Sequence, residues 1–190
     1  MIDIRKQFWL EREGTVLVVV DVQERLSKAM PPEVFARTTR NIRILLDAMT
    51  ILGLPVITTE QYPAGLGHTI PDLAPDPEDV LIEKTSFSCC GEPAFLESLK
   101  RLEAGQILLA GVETHVCIYQ TLLDLLARGY AVHLVRDAVC SQKKTDFVAA
   151  IDNAARAGAT VTTVEMALFQ MLRHARGPEF KAISNLIKKS

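Results

Sequence analysis

The chain has 190 residues, 48% of them hydrophobic and 23% charged, with a formal net charge of -2. That length suits one substantial core, so a single domain over 1–190 is expected, and the near-neutral charge offers nothing to nucleic acid or an anionic membrane. The opening MIDIRKQFWLEREG is charged throughout and no apolar run approaches a membrane span, which points to a cytoplasmic protein.

After that polar leader, Thr15–Val20 is an uninterrupted run ending at Asp21, the pattern of a central parallel strand covered on both faces. Pro31 and Pro32 announce a helix. From Phe35 its apolar positions Ile42, Leu45, Leu46, Met49 and Leu52 recur every three or four residues, and Gly53 is placed to cap it. A second strand is predicted at 54–58. The stretch onward to Asp79 is rich in Pro, Gly and Asp and has no sustained period, as expected of a functional loop. A third strand at 80–83 delivers Lys84, and a helix over 92–102 turns Phe95, Leu96, Leu99 and Leu102 inward.

The next stretch is the one the others serve. Residues 107–110 read as a buried strand, 111–114 as a turn, and Ile118, Leu122, Leu125 and Leu126 as the apolar face of a helix. Cys117 therefore falls in or just before the first helical turn, where unpaired N–H groups and the dipole are expected to lower a thiol pKa. A fifth strand at 130–135, a helix at 143–157, Gly158, a sixth strand at 160–164 and amphipathic segments near 167–173 and 180–187 complete the chain.

Strict alternation of strand and helix implies right-handed crossovers and a doubly wound parallel α/β sheet, with ligands bound beyond the carboxyl ends of the strands. At that edge stand Asp21, Lys84 and Cys117. Singly, each has a plain structural reading: a turn aspartate, a surface lysine, a small buried thiol. Together they can attack a carbonyl, because a carboxylate can take the thiol proton, a lysine can hold the carboxylate, and a backbone turn can supply N–H donors to the oxyanion. The four cysteines, Cys89, Cys90, Cys117 and Cys140, form no C-x-x-C pair, and all but Cys117 are read as structural.

Three motifs then match a known pattern: Val18-Val19-Val20-Asp21-Val22-Gln23, Lys84-Thr85-Ser86-Phe87-Ser88 and Gly111-Val112-Glu113-Thr114-His115-Val116-Cys117. Over 15–165 the chain resembles the isochorismatase-like cysteine hydrolases, which include nicotinamidases and N-carbamoylsarcosine amidase. The resemblance implies a Rossmann-like three-layer sandwich whose six strands run 3-2-1-4-5-6. It also implies an Asp21, Lys84, Cys117 triad that cleaves a C–N bond of an amide or carbamoyl type through a thioester. A cis peptide at Val112–Glu113 and an oxyanion hole from the Glu113 and Cys117 N–H groups follow from it, as does a homo-oligomer. Gln23 and Phe87 within the motifs, and Tyr62 and Tyr119 by position, are expected to line a pocket for a small-molecule substrate.

No metal or other cofactor is expected. Where nicotinamidases carry an Asp-x-His pair this chain has Glu60-Gln61-Tyr62-Pro63, and His68 nearby is read as a loop residue. Isochorismatases that cleave a vinyl ether lack the cysteine, so the substrate stays unassigned. His115, two residues from Cys117, shares no helix face with it and is not expected to act as its base. Two other classes of function fit the same residues: a silent binding or scaffold protein, and a thiol redox sensor with Cys140 as its resolving partner.

Overall fold

A short helix, α1 (Ile4–Phe8), precedes the first strand, β1 (Thr15–Val20), in the computed structural model, which describes residues 4–188. Helices α2 (Glu24–Ala29) and α3 (Pro32–Leu52) lead to β2 (Val56–Gln61), followed by the single turn α4 (Pro63–Leu66) and β3 (Val80–Lys84). Next come α5 (Pro93–Arg101), β4 (Gln106–Val112), α6 (Tyr119–Ala127) and β5 (Ala131–Cys140). The chain ends with α7 (Lys144–Ala157), β6 (Thr160–Thr162), α8 (Val164–Leu172) and α9 (Pro178–Ile187).

The six strands form one sheet in the order β3-β2-β1-β4-β5-β6, every neighbouring pair parallel. The side-chain period of two divides β1 between two cores. Leu17 and Val19 pack with Ile42, Leu45 and Met49 of α3 and with Leu168 of α8. Val16, Val18 and Val20 pack with Phe95 of α5, Leu122 of α6 and Ile151 of α7. A strand buried on both faces has no polar side to alternate, which is why its sequence is a continuous apolar run. Pro32 opens α3 where its missing N–H costs nothing, and Gly53 closes it in the left-handed region at φ 65°.

The predicted strand bounds shift: the fourth, expected over 107–110, spans Gln106–Val112 and so takes in the first two residues of the predicted turn. The second strand starts two residues later than expected and runs on to Gln61, and the sixth stops at Thr162 because Thr163 leaves the sheet to cap α8. The fifth runs past the expected end at 135 to Cys140, because it bulges and then resumes pairing. Leu109 pairs with Leu134 but Gly111 with Val139, so residues 135–138 stand opposite Ala110 alone. Helices α1 and α2 occupy stretches too short to show a sustained apolar period.

The central strands press together at Gly111, whose φ is +121° and where a β-carbon would collide with the backbone of Val20. Gly111→Ala is therefore expected to destabilise the protein by ~2–5 kcal/mol, combining overpacking with backbone strain. Gly158 has a similar φ of +107° but open space around it, and Gly158→Ala should cost only ~1 kcal/mol. Urea denaturation of the two variants separates close approach from dihedral strain.

Candidate active site

β1 ends at Asp21, a non-glycine residue in the left-handed region at φ 53°. Aspartate tolerates that conformation better than most residues. The turn leaves its carboxylate fully buried at the strand's carboxyl end. Lys84 ends β3, and its Nζ lies 2.7 Å from Asp21 Oδ2 with neither side chain exposed. Nζ also donates to Gln61 Oε1 at 2.6 Å and to the Ser86 and Phe87 carbonyls, each at 3.2 Å. Asp21 Oδ1 accepts from Thr59 Oγ1 at 2.7 Å. Both charges that burial strips of water have thus been given protein partners, which is the condition for keeping an ion pair in a core.

Cys117 reaches the same cluster from the other side. β4 ends at Val112, the Val112–Glu113 peptide bond is cis, and residues Thr114–Ile118 form one wide π-type turn before α6 begins. Such turns insert a residue into a helix and re-aim its side chains. The Glu113 carbonyl accepts from the N–H of Val116 at 3.1 Å and of Ile118 at 3.3 Å. Cys117, 6% exposed, lies close enough to Asp21 and Lys84 for both charges to act on its thiol. The three residues expected at the sheet edge are therefore brought together.

The electrostatics correct one expectation. A place at a helix start implies a lowered thiol pKa; here burial and then the Asp21 carboxylate push the Cys117 thiol far above its ordinary value, with Lys84 pulling only partly against them. Burial and Asp21 thus favour the neutral thiol of Cys117 at rest. Burial alone would depress Lys84, but the Asp21 carboxylate outweighs it and holds its pKa above the usual lysine value. Lys84 stays an ammonium across the physiological range.

Gln23 is also corrected. It is buried, and its Nε2 donates to the carbonyls of Gln61 at 3.0 Å and Gly67 at 2.6 Å while its Oε1 accepts from Gln61 N at 2.7 Å. Both donors are spent on backbone, so Gln23 stitches β1 to β2 and to the following loop and has no N–H for a substrate. Tyr62 and Phe87 are exposed, and Tyr119 is half-buried where α6 starts. Phe87 enters the cluster only through its carbonyl.

Sequence patterning misses Thr59, Gln61 and Cys89. Thr59 orients Asp21, Gln61 receives Lys84, and Cys89 Sγ lies 3.9 Å from Thr59 Oγ1. A signal was available: in the order β3-β2-β1-β4 the end of β2 must lie between Asp21 and Lys84. Cys89 is fully buried and pushed up to about 12, chiefly by desolvation. Cys140 belongs to a different cluster, with Met30 and Val112, and Cys89 is the cysteine that shares the Asp21 neighbourhood. His115 turns to Ser141, its Nδ1 3.0 Å from Oγ. His68 is 75% exposed and pairs with Glu60 at 2.9 Å, while Thr69 donates to Glu60 Oε1 from both its N–H and its hydroxyl. Among the described residues, no group of three or more His, Cys, Asp or Glu side chains could hold a metal, and no helix is long and apolar enough to cross a membrane.

The isochorismatase domain model matches residues 15–166, a span that contains Asp21, Lys84 and Cys117. This chain belongs to the isochorismatase family. A Salmo salar isochorismatase domain-containing protein 1 is 41% identical over 176 residues, 93% of this chain, and the chain spans 62% of that relative's length. A Danio rerio isochorismatase domain-containing protein 2 is 39% identical, with 94% of this chain and 89% of the relative covered. Among solved structures, one described as a MAR1 ribonuclease from Caenorhabditis elegans superposes with a TM-score of 0.89 at 38% identity, covering 96% of this chain and 93% of that one. The isochorismatase fold thus accounts for the sheet order and for the edge at which the buried cluster sits.

Asp21→Asn removes the charge that raises the thiol pKa, so iodoacetamide should alkylate Cys117 faster in the variant, by at least about tenfold near neutral pH. Slower alkylation would mean that Asp21 activates the thiol at rest. The Glu60–His68 pair makes stability depend on pH. His68 is raised by Glu60, so its contribution is full below the ordinary histidine value of 6.5 and is lost as pH climbs through its higher folded value. Burial opposes the lowering of Glu60, but bonds from Thr69 and His68 prevail, so its contribution is full above 4.5 and is lost as pH falls through its lower folded value. The difference in Tm between the native protein and His68→Ala should therefore shrink as pH rises from weakly acidic to alkaline.

Proposed function

We propose that the protein is a cysteine hydrolase that cleaves a C–N bond, of an amide or carbamoyl type, in a small molecule. The observation that carries this reading is a buried carboxylate that contacts a lysine ammonium on one oxygen, with a nearly buried thiol within reach of both charges. In this reading Asp21 takes the Cys117 proton as sulfur attacks the substrate carbon, so proton transfer accompanies attack and no free thiolate waits in the site. The backbone N–H groups of Glu113 and Cys117 receive the oxyanion. Asp21 passes its proton to the leaving nitrogen, the C–N bond breaks, and a thioester and an amine result. Water, deprotonated by Asp21, then attacks the thioester, releasing the acid and restoring the thiol. Lys84 remains charged throughout and holds the Asp21 carboxyl in place. Its four oxygen acceptors leave it no donor for a substrate.

The worm relative's ribonuclease description raises a second activity. A net charge of -2 and a nearly buried thiol offer a polyanion little purchase. Assembly into several copies of the chain belongs to the same family reading, and light scattering should give a mass above 21.0 kDa.

The test is a screen of primary amides, carbamoyl compounds and single-stranded RNA. One small C–N substrate should be hydrolysed, with Cys117→Ala reducing turnover by about 10³-fold or more and quenched reactions containing an acyl adduct on Cys117. Thr59→Val, which removes one bond to Asp21, should cost only about tenfold. RNA cleavage that survives Cys117→Ala, with no C–N substrate found, would overturn the reading.

A further inference from the structure

The carboxyl edge of the sheet holds a second concavity, of about 580 Å³, that none of Asp21, Lys84 and Cys117 lines. It lies between the first half of α3, the end of β5 and the start of α7. Its origin is the bulge in β5, which lifts Arg136 and Asp137 out of the strand ladder and into the wall of the crevice.

That wall is tied down on several sides. Asn41 Nδ2 donates to the Asp137 carbonyl at 2.7 Å, and Val164 N donates to Asp137 Oδ1 at 3.0 Å. Ser141, also in the lining, is held by His115 at 3.0 Å, and the next residue, Gln142, donates its N–H to Glu113 Oε2 at 2.9 Å. A concavity whose walls are already fixed spends little of a ligand's binding energy on ordering.

Its charge runs against that of the chain. Arg37, Arg136 and Lys144 line it, with Asp137 as the single carboxylate, so three cations against one anion leave two positive charges in a protein of net -2. Arg12, Arg43, Arg128 and Arg173 are all engaged in salt bridges, whereas among the described residues none of the three crevice cations is in one. Arg37 does feel Asp137, whose carboxyl is pushed up by burial and pulled back by Val164 N–H and by Arg37. Val34, Val139 and Phe147 supply an apolar lining beside these cations.

We infer that this crevice is a binding site for a small organic acid, a carboxylate on an apolar ring or short chain, separate from the Cys117 site. Arginine suits the planar, bidentate recognition of a carboxylate, and the apolar lining excludes water around the body that carries it.

Benzoate is the probe, titrated calorimetrically into the 190-residue chain, so the readout does not depend on any catalytic activity. Benzoate should bind saturably, with the same affinity for Cys117→Ala, and benzamide, equal in shape but uncharged, should show no saturable binding. The exposed arginines can be replaced with little risk to folding: in Arg37→Gln with Arg136→Gln benzoate affinity should fall by at least about tenfold. Lys144→Gln, a separate test on α7, should weaken it by roughly threefold. The inference is overturned if benzoate does not saturate the native protein, if benzamide binds equally, if all three cation substitutions leave affinity unchanged, or if Cys117→Ala abolishes binding and so places the acid at the thiol.

Discussion

The ion pair between Lys84 and Asp21 is the interaction on which the rest of the edge depends. Both charges are fully buried, and removing either would strand the other at a cost of about 3–5 kcal/mol. The pair is tolerable only because its remaining valences are met by Thr59 and Gln61 of β2 and by the carbonyls just past β3. Polar side chains at the end of a buried parallel strand would otherwise be a liability. Here they lock the ends of β1, β2 and β3 into one polar knot, and Gln23 extends it into the loop after α4.

That knot fixes the state of the thiol beside it. Cys117 lies within the fields of an anion and a cation; desolvation is the largest influence on its thiol, and of the two charges the anion acts more strongly. The outcome is a proton that stays on sulfur. A helix start favours a thiolate through its dipole, and in a chain of unknown packing that preference stands alone. In a π-type turn packed into the core, burial opposes the dipole and outweighs it.

The fold was legible because its signals are repetitive. Strand-helix alternation, the apolar run 15–20 and the Gly53 and Gly158 caps each report a local preference that the packed protein has no reason to override. Asp21, Lys84 and Cys117 were legible for a related reason, since the end of a strand is a fixed place in a doubly wound sheet. What escaped was relational. Gln23 looks like a ligand-binding residue within its motif, and only the positions of the Gln61 and Gly67 carbonyls show its amide to be occupied. Thr59 gains its role from the strand beside it. The β5 bulge leaves no mark in hydropathy, because residues 135–138 are anchored by Asn41 and Val164, which are remote in sequence.

The protonated state of Cys117 bears on how long the protein survives in a cell under oxidative stress. Peroxide attacks thiolates, and the first rung of cysteine oxidation leads onward to acids that no ordinary reductant reverses. A thiol held neutral, with little surface, gives such oxidants little to react with. The nearby Cys89, fully buried and raised to about 12, is equally inert. Burial thus disfavours the thiolate, the form that peroxide attacks, at both sulfurs of this edge.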